Sequence, residues 1–305
     1  MARFMIRRLI EAALAILSVA AMVFVLYHLI HESPAYAMLY PDATPAKVAQ
    51  LNAELGLNLP IPVQFCLSLK QAVIHGGFVH IVTQYLPPTV ELLGLGVLWA
   101  FGLSILTAMT QIRYAGTVID RILDAITSIF SVVPGFWLGT LVLFLFAMNW
   151  AVFPGLGFPT PHHGFFYWLY CEILPSMTLA LTTMGSWTRQ LRASLEESLR
   201  TDYVRTARAK GVPEGRVRWR HMLRNSILPF ISLAGMSMPT MLNTVIALEI
   251  IFTVPGMGTQ LVQSLVMLSF NGATTIAMVL SMVTILGSVL ADFTYGIVDP
   301  RITYR

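Results

Sequence analysis

Charge is what this sequence has least of. Asp, Glu, Lys and Arg make up 11% of its 305 residues, against about 25% in an ordinary soluble domain. Lysine is nearly missing: only Lys47, Lys70 and Lys210 occur, and none sits in Gly-x-x-x-x-Gly-Lys-Ser/Thr. No phosphate-cradling loop is therefore encoded, and the chain is not expected to hydrolyse ATP itself. Cysteine is scarce too. Cys66 lies between apolar runs and Cys171 inside one, so a bridge between them is not expected, and no Cys-x-x-Cys metal spacing appears. What fills the space is apolar: 56% of residues are hydrophobic and the mean hydropathy is +0.71. That is the composition of a chain whose solvent is lipid.

Six apolar stretches approach the roughly 20 residues that a helix needs to cross a hydrocarbon core. They fall at Leu9–Leu29, Thr89–Met109, Ala125–Ala147, Phe166–Trp187, Ile227–Phe252 and Ala273–Val298. With the N-terminus inside, Arg3, Arg7, Arg8, Arg113, Arg121, ten basic residues from Arg189 to Arg224, Arg301 and Arg305 are all cytoplasmic. Only Lys47 and Lys70 are then external, so 17 of 19 basic residues lie on one side. Lys and Arg resist translocation, and the expectation is six spans with both termini cytoplasmic. The first run follows Arg7-Arg8 and precedes Ala35-Tyr36-Ala37, as a cleaved signal would. It exceeds the usual 7–15-residue core of a signal peptide, so it is read as a retained anchor.

Three regions follow: residues 1–30, a tail and first span; residues 31–88, an external segment; and residues 89–305, a five-helix core. In the external segment Thr44 and Pro45 open one amphipathic helix carrying Val48, Leu51 and Leu55, which Gly56 stops. A second is expected from Pro62 to about Ile74. His28, His31, His75, His80, His162 and His163 map to the same side, but no Cys or carboxylate stands at ligand spacing, so no metal site is assigned.

Glu91, Glu172 and Glu249 fall near the external ends of their spans, and Glu11 and Asp292 near internal ends. None is at the bilayer centre, which weakens a reading as an ion-coupled carrier. The outer glutamates either attract a cationic ligand group or, as is favoured, reach headgroup water or pair between helices. Pro134, Pro175 and Pro239 interrupt the third, fourth and fifth spans and are expected to kink them. Gly94, Gly96 and Gly102 permit close helix approach in the second.

The basic residues concentrate in Asp202–Pro229, "DYVRTARAKGVPEGRVRWRHMLRNSILP", which holds seven of them. Asp202 is a candidate N-cap, Tyr203, Ala207 and Lys210 share one face, and Gly211 suits a left-handed stop. Pro213 then opens a second helix with Val217, Met222, Leu223 and Ile227 on its apolar side. A helix-turn-helix on DNA is disfavoured, because no polar recognition set accompanies the arginines. A lipid-surface helix and a docking element for a cytoplasmic partner remain. The defined stop favours docking.

This segment resembles the cytoplasmic EAA loop of bacterial ABC importer permeases, in the form of the oligopeptide/dipeptide/nickel family. The pattern Glu-Ala-Ala-x-x-x-Gly falls on Arg205, Thr206, Ala207 and Gly211, so its first two positions depart from the general consensus. "DRILDAITSIFSVVPGFWLGTLVLFLFA", "VIALEIIFTVPGMGTQLVQSL" and "YGIVDPRITYR" extend the resemblance over nearly the whole chain. The outer segment departs most, with "HESPA" in place of the common Gly-Asp-Pro turn.

The resemblance implies an all-α polytopic permease of the type I ABC importer fold. Its partners would be a homologous second permease, two cytoplasmic ATPases, an external solute-binding protein and membrane lipid, with no nucleic acid. No cofactor is expected in this chain, and ATP and Mg belong to the ATPases. Coupling to them is expected at Asp202, Tyr203, Arg205, Thr206, Ala207, Lys210, Gly211 and Pro213, within a loop at 188–226, with Ala207 against the partner. Pro134, Phe136, Trp137, Glu172, Pro175, Pro239 and Glu249 are the pathway candidates. Small peptides are the expected cargo, ahead of nickel chelates, thiol peptides and glycosides. The alternative class is an ion-coupled carrier or channel acting without an ATPase.

Overall fold

The computed structural model describes residues 2–30, 39, 44–54, 56–74, 77–155, 164–267 and 269–298. His31, His75, His162, His163, the Ala35-Tyr36-Ala37 run, Arg301 and Arg305 lie outside the described residues. Among those described, every regular element is helical. In chain order they are α1 (Ala2–Ile30), α2 (Pro45–Glu54), α3 (Ile61–Ile74), α4 (Gly77–Gln84), α5 (Leu86–Arg113) and α6 (Val118–Val132). Next come α7 (Gly135–Val142), continued by π-helical turns over Leu143–Asn149, then α8 (Phe165–Ser198) and α9 (Asp202–Ala209). The short α10 (Glu214–Arg216) runs into a second π-helical stretch, Val217–Met222, followed by α11 (Leu223–Met236), α12 (Met238–Ile251), α13 (Met257–Val266) and α14 (Phe270–Val298).

Contacts within the chain gather into two units. One comprises the chain up to Thr89 together with Pro255–Ile285. In it, the Thr44 carbonyl accepts the Val48 N–H at 2.9 Å and Gly56 has φ +68°, so α2 starts and stops where its Thr-Pro and Gly predict. Phe24 packs edge-on against Phe65 at 5.4 Å, and the buried Thr89 hydroxyl accepts the Met257 N–H at 2.8 Å.

The other unit comprises Val90–Val254 and the chain from Leu286. Its core is an aromatic triad from three helices: Phe101 lies 5.3 Å from Trp187 and 4.5 Å from Phe230, and those two lie 5.5 Å apart. The Trp187 indole N–H donates to Ser237 Oγ at 3.1 Å, so the polar edge of this buried ring has a partner. Close approach of α5 and α8 rests on Gly96, where a Cβ would meet Leu179 Cδ2 at 2.4 Å. Gly94 and Gly102 do not share that role; nothing lies within 4 Å of a Cβ at either.

The expected spans meet the structure unevenly. Among the described residues α5 alone is long and apolar enough to cross a membrane as one helix. The third stretch is instead two helices, α6 and Gly135–Asn149, bent by 106° at Val133-Pro134; the fifth is Pro229–Met236 and α12, bent by 50°. Proline explains both. Val133 is extended at ψ 126°, as a residue before proline prefers, and Pro239 sits in the first turn of α12, where its missing N–H costs nothing. Pro175, by contrast, lies inside an unbroken α8. The fourth stretch forms a helix of ample length that is not apolar enough to pass alone. Its buried face carries Glu172, Ser176, Thr178, Thr183 and Thr188, which other helices cover, so lipid does not select its residues. The first and last stretches lie in α1 and α14, whose apolar parts among described residues are Ala13–Leu26 and Gly272–Gly287.

Helix α8 organises this unit. At 34 residues it is about 51 Å long, well beyond the roughly 30 Å of a hydrocarbon core. Its C-terminal part is long enough to form a strut, and the basic segment follows its end.

Candidate functional site

The basic segment folds as a short helix with a defined stop. The N-cap of α9 is Thr201, at φ −81° and ψ 152°, and Asp202 is its first helical residue rather than its cap. Thr201 makes no capping bond because its hydroxyl turns back to donate to the Ser198 carbonyl. Asp202 still places negative charge in the first turn, where the helix dipole favours it. At the other end Gly211 N–H bonds to Arg208 O at 2.9 Å and Val212 N–H to Ala207 O at 3.2 Å. Those two bonds are a Schellman motif, and Gly211 at φ +73° is its left-handed residue.

The faces of α9 divide sharply. Val204 and Ala207 are buried against the chain itself, where α9 packs on the Val217–Met222 turns. Ala207 is thus not a surface residue awaiting a partner. Asp202, Tyr203, Arg205, Thr206, Lys210, Gly211 and Pro213 are exposed. Arg208 is drawn aside: its Nε donates to Glu214 Oε1 at 2.7 Å, closing the Gly-Val-Pro turn, and this bond holds the Glu214 carboxyl below its ordinary pKa.

Two helices hold α9 in place. Ser198 at the end of α8 and Ser226 near the start of α11 share a buried hydroxyl bond of 2.8 Å, and Ser226 also donates to Ser194 O at 3.1 Å. Tyr203 joins the same cluster. Burial works against ionisation of its phenol, but hydrogen bonds with Ser198, Asn225 and Thr201 outweigh that and lower its pKa. Serine pairs are silent in a single sequence, because their meaning depends on a partner 28 residues away.

Farther along α8, Arg192 makes a fork. Its Nη1 and Nη2 donate to Asp120 Oδ1 and Oδ2 at 2.7 and 3.2 Å, and its Nε donates to Glu196 Oε1 at 2.8 Å. Asp120 also accepts the Gly116 N–H at 3.0 Å. A cavity of about 340 Å³ opens beside this fork, lined by Asp120, Arg121, Asp124, Arg189, Arg192, Ala193 and Glu196. Signs alternate around it, so it offers no surface of one charge. Sequence reading assigned these arginines to the topology bias alone.

The pathway candidates separate into two groups. Phe136 and Trp137 are exposed on α7, two and three residues past the Pro134 break, and Pro239 is exposed at the start of α12. Pro175 is buried in α8, and Ser176 donates to the Glu172 carbonyl one turn back. Glu172 and Glu249 are almost fully buried, at 1% and 0% exposure. Neither reaches toward headgroup water. Glu91 and Glu249 both act electrostatically on Glu172, and Trp168 Nε1 donates to Glu91 Oε2 at 2.9 Å. Glu91 of α5 is thus paired with Trp168 of α8, whereas Glu172 is buried with its Oε2 without a hydrogen-bond partner. Among the described residues no group of three or more His, Cys, Asp or Glu is placed to hold a metal ion.

Comparison with known proteins accounts for most of the chain. Residues 100–304 match the family of binding-protein-dependent transport system inner membrane components, and residues 1–88 match the N-terminal family of the same membrane components. A probable peptide ABC transporter permease of Sinorhizobium fredii is 30% identical over 99% of both chains. An oligopeptide transport system permease of Bacillus subtilis is 30% identical over the full length of both. A probable D,D-dipeptide transport system permease of Escherichia coli is 32% identical over 95% of this chain and 94% of its own.

Proposed function

The chain belongs to the family of binding-protein-dependent transport system inner membrane components, and from that membership we propose that it is the permease subunit of an ATP-driven importer of small peptides. It crosses the inner membrane several times, with both termini cytoplasmic. It pairs with a homologous permease, receives cargo from an external solute-binding protein and is driven by two cytoplasmic ATPase subunits. Peptide cargo is favoured because all three relatives above carry peptide, oligopeptide or dipeptide in their names.

One observation carries the coupling assignment. α9 is a short helix closed at its C-terminal end by the chain's own bonds, anchored by Val204 and Ala207, and open on its polar side. A helix held by lipid charge alone needs neither the left-handed stop nor the hydroxyl cluster beneath it. A rigid helix with a free face is what a partner cleft can grip and move. Gly211 sets where it ends, Asp202, Arg205, Thr206 and Lys210 present its polar surface, and Pro213 starts the return toward α11.

Reconstitution with the neighbouring ATPase and binding protein tests the reading. Peptide uptake into proteoliposomes is expected to require ATP and the binding protein, and to persist when ion gradients are collapsed. Uptake that follows an ion gradient without ATP would replace this function with a carrier. Topology is checked separately with single cysteines in a background lacking Cys66 and Cys171. Position 160 is expected to react with an impermeant thiol reagent in intact cells, and position 201 to stay protected.

A further inference from the structure

The Arg192 fork lies between the coupling helix and the broken helix pair that begins at α6, and its placement gives it a role that topology alone does not. Helices α6 and α8 touch along a seam with three fastenings. Gly185 brings the backbones together: a Cβ there would meet the Thr127 carbonyl oxygen at 2.3 Å. Nearer the strut end, Arg189 Nη1 donates to Ser131 Oγ at 3.1 Å. At the α6 N-terminus Arg192 grips both oxygens of Asp120, and Glu196 holds its Nε from one turn farther along α8.

Energetics single out the last of these. An exposed ion pair contributes little, because two flexible side chains must be ordered against water and salt. This one differs on both counts. The Asp120 side chain is 10% exposed and that of Arg192 25%, and three of the guanidinium's donors are engaged. Asp120 is further fixed by the Gly116 N–H, so the carboxylate is oriented before Arg192 arrives. Bidentate pairing fixes distance and angle together, which a single hydrogen bond or a methyl contact does not. Six residues beyond Arg192 comes Ser198, whose hydroxyl bond to Ser226 and link to Tyr203 support α9. At the far end of α6 comes the 106° break at Pro134. The fork thus closes a continuous mechanical path from α9 through the α8 strut into α6.

We propose that Arg192 is a positioning residue for energy coupling, clamping Asp120 so that α6 and the α8 strut move as one body when α9 is displaced. This rests on the reading of α9 as the element the ATPases move. Without the fork, the strut bends alone and ATP is hydrolysed with little transport. Gly185 and Ser131 still hold the helices together, so the chain folds and the loss lies in transmission.

The experiment uses the full complex of both permeases, ATPases and binding protein in proteoliposomes, reading transport and ATP hydrolysis together. R192Q and D120N are each expected to lower peptide transported per ATP about fivefold or more, the usual lower range for coupling between sites, at unchanged assembly. The D120N/R192Q double variant is expected to be no worse than the poorer single, because both remove one interaction. R192K, which keeps charge but not the fork, is expected between wild type and R192Q. A chemical rescue separates positioning from mere support. In a background lacking Cys66 and Cys171, D120C/R192C is expected to be uncoupled, and bridging the two thiols with a short bismaleimide is expected to restore transport per ATP. Wild-type coupling in R192Q, or a bridge that leaves the ratio low or blocks transport, would overturn the clamp. Should the wild-type complex fail to transport on ATP at all, the importer reading falls first, and that result is seen before any variant is made.

Discussion

Gly211 is the position where a single side chain most cleanly tests the coupling helix. Its φ of +73° is the left-handed region, and nothing lies within 4 Å of a Cβ built there. Replacement therefore meets no steric neighbour, and its whole effect is conformational. An L-residue pays roughly 1–2 kcal/mol to adopt this region, with β-branched residues at the upper end and Asn tolerating it best. At about 2 kcal/mol, Gly211→Val lowers the population of the native cap about thirtyfold. The two Schellman bonds, to Arg208 O and Ala207 O, go with it, and the chain toward Pro213 is re-aimed. Substrate-stimulated ATP hydrolysis and co-purification of the ATPase should fall in the order Gly211→Asn, Gly211→Ala, Gly211→Val. Membrane insertion should hardly change, and the loss of thermal stability in detergent should not exceed the roughly 2 kcal/mol of the cap, because no packing neighbour is met. If Gly211→Val binds and couples as wild type does, the left-handed stop has no part in positioning α9. If Gly211→Asn is as damaged as Gly211→Val, the effect is not a matter of φ.

Gly185 gives the opposite case: in Gly185→Ala the Cβ meets a backbone carbonyl that cannot move aside, so a loss of about 1–3 kcal/mol is expected, read as a lower melting temperature, whereas Gly94→Ala, facing open space, should leave it unchanged. Ala207→Trp should reduce expression and thermal stability before any question of partner binding arises, because Ala207 is only 6% exposed within its own chain; Arg205→Lys, at the exposed face, should alter neither, and equal behaviour of the two would refute the assigned faces of α9. The Arg208–Glu214 tie predicts an acid transition. Because Glu214 titrates below its ordinary value when folded, through the hydrogen bond from Arg208, the tie contributes in full above the unfolded value and is lost as pH falls through the lowered one. Emission of Trp219 should report a change below about pH 4.5, the unperturbed glutamate range, that Glu214→Gln abolishes; the same acid change in Glu214→Gln would assign it elsewhere.

What the sequence determined by itself was whatever depends on neighbours along the chain or on solvent. Apolar content and the one-sided distribution of 17 basic residues specify a membrane solvent and predict an orientation, since lipid acts on each segment separately. Thr44-Pro45, Gly56 and Gly211 mark their helix ends because φ preference is a property of the residue itself. The prolines at 134 and 239 mark breaks for the same reason, yet their size, 106° and 50°, comes from what the flanking helices pack against.

Tertiary structure decided everything that needs a distant partner. Thr201 displaced Asp202 as the cap because the Ser198 carbonyl lay within reach of its hydroxyl. Ala207 turned inward because the Val217–Met222 turns cover that face. Arg192 met Asp120 across 72 positions, and Glu91, Glu172 and Glu249 came together from three helices. The composition of α8 is less apolar than that of a lone span because Glu172, Ser176, Thr178, Thr183 and Thr188 on its polar face are buried within the chain. Local preference is written residue by residue, whereas a side chain's partner is fixed only when the helices pack, and for arginine, serine and buried glutamate the partner determines the role.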